Sequence, residues 1–180
     1  MNKPAGLPTL VDGYNKDAPS LVGLVQQRYG RVWIVHRLDK DTSGVVLFAR
    51  SADVHRSLNI AFETRHVSKV YHAIVNGVPE WNKLEIEFPL KADGDRRHRT
   101  VVDRAEGKAA LTRCRVLEKF TAHALIEAKP ETGRTHQIRA HLAAQGFPIV
   151  GDELYGRPAR VIDRTLIDRS ALHARSITIA

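Results

Sequence analysis

Lys69-Val70-Tyr71-His72-Ala73-Ile74-Val75-Asn76-Gly77 alternates Val70, His72 and Ile74 with Tyr71, Ala73 and Val75, then breaks at Asn76-Gly77. A repeat of period two sends alternate side chains to opposite faces of a strand, and Asn-Gly supplies the positive φ that a tight turn needs. The same alternation runs on. Leu84, Ile86 and Phe88 stand between charged neighbours, and Thr100–Val102, Ala109–Leu117 and His123–Ala128 follow, with Glu106-Gly107 placed as a hairpin tip. The spacings between these strands are short. A parallel crossover consumes a dozen residues or more, so the strands are expected to pair antiparallel.

Outside this middle the period changes. Toward the N-terminus, Ala52–Thr64 repeats Val54, Leu58, Ala61 and Phe62 on one helical face behind a capping Ser51. Val45–Ala49 and Val32–Val35 are short apolar runs that suit buried strands, Ser20–Tyr29 suits a helix between Ser20 and Gly30, and Pro- and Gly-rich Met1–Pro19 reads as loop. Toward the C-terminus, Thr132 is placed as the cap of a helix over Arg134–Gln145 ended by Gly146. A short strand Pro148–Val150, a turn at Gly151–Gly156 and a basic stretch to Arg175 follow. The fold class expected is α+β: a mostly antiparallel or mixed sheet flanked by helices, in one domain over residues 1–180.

Composition bounds the function. The 180 residues are 43% hydrophobic and 27% charged, as in an ordinary globular chain. The longest apolar run, Val45–Ala49, falls far short of the about 20 residues of a membrane span, and no signal peptide is readable. Cys114 is the single cysteine, which excludes an intrachain disulfide and a multi-cysteine zinc module, and a cytoplasmic location is expected. Lys and Arg total 28 against 20 Asp and Glu, a net +8, and 19 of the 28 are Arg. Guanidinium is a planar fork that matches phosphate, so the bias favours nucleic acid, although a solvated basic surface produces the same count. Eleven aromatics (5 Phe, 4 Tyr, 2 Trp) without an exposed run leave charge and shape as the means of holding it.

His36-Arg37-Leu38-Asp39-Lys40-Asp41-Thr42-Ser43-Gly44 sets seven polar or charged side chains into nine positions between two apolar runs. Loops at the ends of buried strands hold reactive groups rigidly. By itself this composition also serves a polar turn stabilised by Asp39 or Asp41. The string as written is more specific. It resembles the His-Arg-Leu-Asp-x-x-Thr-Ser-Gly signature of the RluA-type RNA pseudouridine synthases. Asn2-Lys3-Pro4-Ala5-Gly6-Leu7-Pro8 is similar to that family's first motif, Lys69–Gly77 to its Lys-x-Tyr-x-Ala-x-Val-x-Gly strand, and Thr132-Gly133-Arg134-Thr135-His136-Gln137-Ile138-Arg139-Ala140-His141-Leu142 to its third motif. Gly151-Asp152-Glu153-Leu154-Tyr155-Gly156 and Leu172-His173-Ala174 follow in family order.

The resemblance implies the pseudouridine synthase catalytic-domain fold and an isomerase that detaches uracil from C1′ of a uridine in rRNA or tRNA and rejoins it through C5. It needs no metal or organic cofactor, no membrane and no obligatory protein partner, and a monomer is expected. The essential carboxylate falls on Asp39, which either attacks C1′ or removes the C2′ proton; both routes need it ionised. Arg134 is the implied guanidinium partner, and Tyr71 the ring that packs on uracil and serves as base at C5. Arg37 is expected to fill the space left by the extruded base, with His36 shaping the same loop. Arg96, Arg97 and Arg99, in the densest basic stretch with Lys91, Arg104 and Lys108, are expected to grip the RNA backbone, although interleaved Asp93, Asp95, Asp103 and Glu106 would equally suit a solvated face. Against the family pattern the chain is expected to lack a strand before Lys3-Pro4, a segment after Ala174 and an S4-type RNA-binding domain.

Two other readings use the same residues. A non-catalytic RNA-binding relative would keep the basic surface without turnover. A magnesium-dependent aspartate-nucleophile phosphatase would use Asp39-Lys40-Asp41-Thr42-Ser43, but it needs downstream carboxylates for the metal, and Gly151-Asp152-Glu153 is the only nearby candidate. Zinc is disfavoured, because His136 and His141 are five apart and miss the i, i+4 spacing that puts two ligands on one helical face.

Overall fold

The structure, a computed structural model, describes residues 1–11, 17–156 and 167–180. It divides into two compact units, Met1–Ser68 with Ala174–Ala180, and Lys69–His173. The basic stretch read after Gly156 lies, over 157–166, outside the described residues.

In the first unit, β1 (Asn2–Lys3) pairs antiparallel with β3 (Ser43–Val45), so the segment read wholly as loop begins as a strand. Helix α1 (Leu21–Tyr29) starts where Ser20 accepts the Gly23 N–H at 3.3 Å, ends at Gly30, and buries Leu21, Val22 and Val25. Strand β2 (Trp33–Ile34) pairs with β4 (Phe48–Ala49). The run read as one strand over Val45–Ala49 is therefore broken: β3 faces β1, and β4 faces β2. Val46 exchanges hydrogen bonds with Met1 and extends the β1 ladder by one pair, and the ladder ends at Leu47, whose N–H goes to a histidine ring. Helix α2 (Ala52–Glu63) begins at Ser51, as the cap predicts, but Val54 in its first turn is exposed rather than turned inward.

The second unit is built on β5 (Val67–Asn76), most of which it contains, with β6 (Lys83–Ile86), β9 (Thr112–Lys119) and β10 (His123–Pro130). They lie in the order β5-β10-β9-β6, and each neighbouring pair is antiparallel, as the spacings predict. Ala73, Val75, Ile86, Cys114, Ala124, Ile126 and Ala128 line one face and bury Ile138 and Leu142 of α3 (Gln137–Ala144). Burying each such Ile or Leu contributes about 1.5–3 kcal/mol. Small strands β7 (Leu90–Lys91) and β8 (Val101–Val102) pair antiparallel, while Leu90 also bridges Lys108. Residues 103–107 thus form a turn whose two flanks both lie against Leu90, not the tip of a hairpin whose arms pair with each other. The Pro148–Val150 strand reduces to one bridge, Ile149 to Val75. The last strand, β11 (Leu172–Ile179), begins where Leu172-His173-Ala174 predicts.

Candidate active site

Asp39 sits between two residues that the N-terminal segment holds. The Thr9 hydroxyl donates to the Leu38 carbonyl at 2.8 Å and accepts the Leu38 N–H at 3.1 Å, replacing a neighbouring strand for that residue. On the other side, the Lys40 carbonyl accepts the Gly6 N–H at 3.0 Å and the Lys3 ammonium at 2.8 Å. Lys3 also donates to the carbonyls of Pro4 and Leu7 at 2.9 and 2.7 Å, and it is fully buried. Burial pushes its pKa down to about 8, against the pull of Asp41 and Asp39, whose charges favour the ammonium. A last bond, Thr42 N–H to the Asp39 carbonyl at 3.2 Å, closes the turn. Asp39 is half-buried and Arg37 exposed, while Leu38, Thr42 and Ser43 are buried. A loop held this way keeps the half-buried Asp39 on a rigid backbone.

His36 is built into the fold. Its Nε2 accepts the Leu47 N–H at 3.1 Å, so that nitrogen carries no proton, and its ring stacks on Phe62 with centroids 5.2 Å apart. Gly44 ends the signature at φ +115°, where a Cβ would stand 2.2 Å from the Ala174 carbonyl oxygen. Only glycine lets β3 come so close to β11.

In the second unit, Tyr71 lies half-buried on β5 against the apolar core. Two positions earlier Lys69, whose pKa burial lowers, donates to the Thr132 carbonyl at 3.1 Å and so ties β5 to the turn before Arg134. That turn is braced by Gln137, which sequence reasoning gave no role. Its Oε1 accepts the Thr132 hydroxyl at 2.7 Å and the Arg134 N–H at 3.0 Å, and its Nε2 donates to the Leu111 carbonyl and to Thr112. α3 starts at Gln137 and not at Arg134 because His136 takes a left-handed φ of +51°, which a continuous helix cannot contain, and Thr132 is a brace rather than a cap. Arg134 is exposed, with its Nε on the Ala109 carbonyl at 3.1 Å.

The basic loop before β8 is partly spent on the protein itself. Arg97 Nη2 donates to the Glu153 carbonyl at 3.1 Å, and Arg99 divides between the Asp95 carboxylate at 2.7 Å and the Leu154 carbonyl at 3.4 Å. Hydrogen bonds, led by that of the Arg99 backbone N–H, hold the Asp95 carboxyl below its usual range. Arg96 is exposed. Below the loop, Arg139 makes a bidentate pair with fully buried Asp152, at 2.7 and 2.9 Å. His141, with its pKa lowered by burial, lies between Thr112 and the Phe88 carbonyl. Among the described residues no cluster of three or more His, Cys, Asp or Glu could hold a metal ion, and no helix is long and apolar enough to cross a membrane. Burial pushes the Cys114 thiol up to about 12, which leaves it unreactive.

The structure thus groups His36, Arg37 and Asp39 on one loop of the first unit, and Tyr71, Arg134 and the Arg96–Arg99 loop on the second. Lys3, Thr9 and Gln137 are the supporting residues that sequence reasoning left without a role; Lys3 and Gln137 stand inside motifs, but the carbonyls of Lys40, Leu38 and Leu111 that the three residues reach lie 37, 29 and 26 positions away.

Residues 1–144 match the family model described as RNA pseudouridylate synthase. An uncharacterized RNA pseudouridine synthase of Zymomonas mobilis is 43% identical, covering 100% of this chain and 82% of that protein. The dual-specificity RNA pseudouridine synthase RluA of Haemophilus ducreyi is 38% identical over 100% of this chain and 82% of its own. Ribosomal large subunit pseudouridine synthase D of Pseudomonas aeruginosa is 39% identical over 99% of this chain and 60% of its own. Among solved structures, human RNA pseudouridylate synthase domain containing 1 superposes with a TM-score of 0.82 at 28% identity, over 99% of this chain and 73% of that one.

Proposed function

Because this chain belongs to the RNA pseudouridylate synthase family, we propose that it isomerises particular uridines of rRNA or tRNA with Asp39 as the essential carboxylate. The observation that carries this reading is the double clamp on Asp39, through Leu38 by Thr9 and through Lys40 by Lys3 and Gly6. A reacting carboxylate has to be held within a fraction of an ångström, and a polar surface turn needs no such support.

In this reading Asp39 acts on the sugar of an extruded uridine, at C1′ as nucleophile or at C2′ as base. The N1–C1′ bond breaks, the base turns, and a C5–C1′ bond forms. Tyr71 lies on the ring and takes the C5 proton, while N1 ends protonated. Arg134 supplies the guanidinium that favours the charged carboxylate. Arg37, exposed on the loop of Asp39, takes the place of the extruded base. The backbone grip falls to Arg96 and the outer edge of Arg97, with Arg99 as their support, and His36 contributes by holding its loop. The chain acts as a monomer, on RNA alone.

The test is to incubate total RNA lacking the modification with the wild type and with Asp39→Asn, and to map new pseudouridines by carbodiimide adducts. Wild type is expected to produce them. Asp39→Asn is expected to lose at least 10³-fold in rate, since the group acts on the reacting bonds themselves, while still binding the RNA. Equal products from both would reject Asp39. Binding without product by the wild type would favour the non-catalytic reading.

A further inference from the structure

Tyr155 has no part in the reading above, yet three segments meet at its hydroxyl. It accepts the Thr100 N–H at 2.8 Å and lies 3.1 Å from the Thr100 carbonyl, to which it donates. The same hydroxyl lies 3.1 Å from His136 Nδ1, which brings the third segment to it. Thr100 is buried and closes the loop that carries Arg96, Arg97 and Arg99. The same loop is tied to the 153–154 carbonyls by Arg97 and Arg99, and folded on itself by Asp95, which accepts both the Arg97 and the Arg99 N–H at 3.0 Å. The Tyr155 ring is itself seated: it packs with Leu90, Ala110 and Ala140, and the Arg139 guanidinium lies 5.1 Å over it.

We infer that Tyr155 is a positioning residue for substrate RNA: its hydroxyl docks the Ala92–Arg99 loop in the shape that presents Arg96 to a phosphate. Among the described residues Arg96 has no ion-pair or hydrogen-bond partner, so its guanidinium is open to one. Ordering a free loop at the moment of binding costs affinity, and a loop already docked avoids that cost. The inference rests on the reading that RNA is the substrate, and it adds a residue that never touches the RNA.

Tyr155→Phe keeps the ring, its packing and its guanidinium contact, and removes only the clasp. The probe is fluorescently labelled, unmodified bulk tRNA, which suffices because a phosphate grip is independent of sequence. Binding is followed by anisotropy, with melting curves to show that each variant is folded. Tyr155→Phe is expected to weaken binding about five- to tenfold and to make the dependence of log Kd on log salt shallower by about one phosphate contact. Arg96→Ala should weaken the wild type to a similar extent but cost less than about twofold more in Tyr155→Phe, because the guanidinium is already misplaced there. Asp95→Ala loosens the loop from its exposed side. It removes a negative charge, so simple attraction predicts tighter binding, whereas positioning predicts weaker.

Arg96→Ala costing the same factor in both backgrounds would overturn the inference, as would wild-type binding by Tyr155→Phe or tighter binding by Asp95→Ala. If Tyr155→Phe fails to fold, the Asp95 arm decides. These arms need no turnover. Their failure is therefore separate from failure of the pseudouridine assay, which bears on Asp39.

Discussion

Lys3 spends its ammonium on the carbonyls of Pro4, Leu7 and Lys40, the last of which adjoins Asp39. Lys3→Met would take the ammonium donor from the carbonyls of Pro4 and Leu7 and leave the Lys40 carbonyl with the Gly6 N–H alone, and the expected loss is about 2–4 kcal/mol of stability by urea unfolding. The sign with pH also follows. Lys3 releases its proton near pH 8 when folded and near 10.5 when unfolded, so between those values the unfolded chain binds more protons and stability rises with pH. The gap between wild type and Lys3→Met is therefore expected to widen from pH 8 to about pH 10. A gap constant over that range would mean that Lys3 titrates as an ordinary surface lysine. At this scale the sequence marked Asp39, Tyr71 and Arg134 as candidates through their motifs and assigned no role to Thr9, Gln137 and Tyr155, although the last two stand inside motifs as well. A hydroxyl or amide carries no local sign of the carbonyl it will meet.

Elements were legible wherever their determinants are local. Ser20 and Ser51 cap helices whose first N–H groups lie three positions on, and Asn76-Gly77 ends β5 with φ +90° at the glycine. The misreadings arise where a distant group competes. The 45–49 run is apolar throughout, so nothing in its pattern tells one strand from two that face different partners. The start of α3 moved because the backbone at His136 is left-handed, in a turn that the Gln137 side chain holds. The close approach of β3 to β11 yields a prediction at this scale. Gly44→Ala would put a methyl 2.2 Å from the Ala174 oxygen and 2.6 Å from its nitrogen, and backbone cannot yield that far without breaking the pairing. The expected loss is about 3 kcal/mol or more. Gly30→Ala, at φ +72° and ψ −153° with no atom within 4 Å of the added carbon, carries the backbone strain alone and should lose less, about 1–3 kcal/mol. Equal midpoints for the two variants in urea would refute the steric account.

Across the whole molecule the net charge of +8 sets how RNA is held. With Asp39→Asn used to prevent turnover, affinity for bulk tRNA is expected to fall at least about tenfold between about 50 and 200 mM salt, since each phosphate contact releases counterions. A flat response would move recognition from the backbone to the bases. What the sequence determined by itself is what short-range physics can write: the caps, the alternation of the central strands, the excess of guanidinium, and the motifs that carry Asp39, Tyr71 and Arg134. Only the tertiary structure decided which polar groups serve as support. Thr9 reaches Leu38 across 29 positions, Lys3 reaches Lys40 across 37, and Thr100 meets Tyr155 across 55. The physical reason is that a buried backbone group must find a partner somewhere, and the partner at such separations is chosen by the packing of the sheet and helices, which no window of neighbouring residues contains.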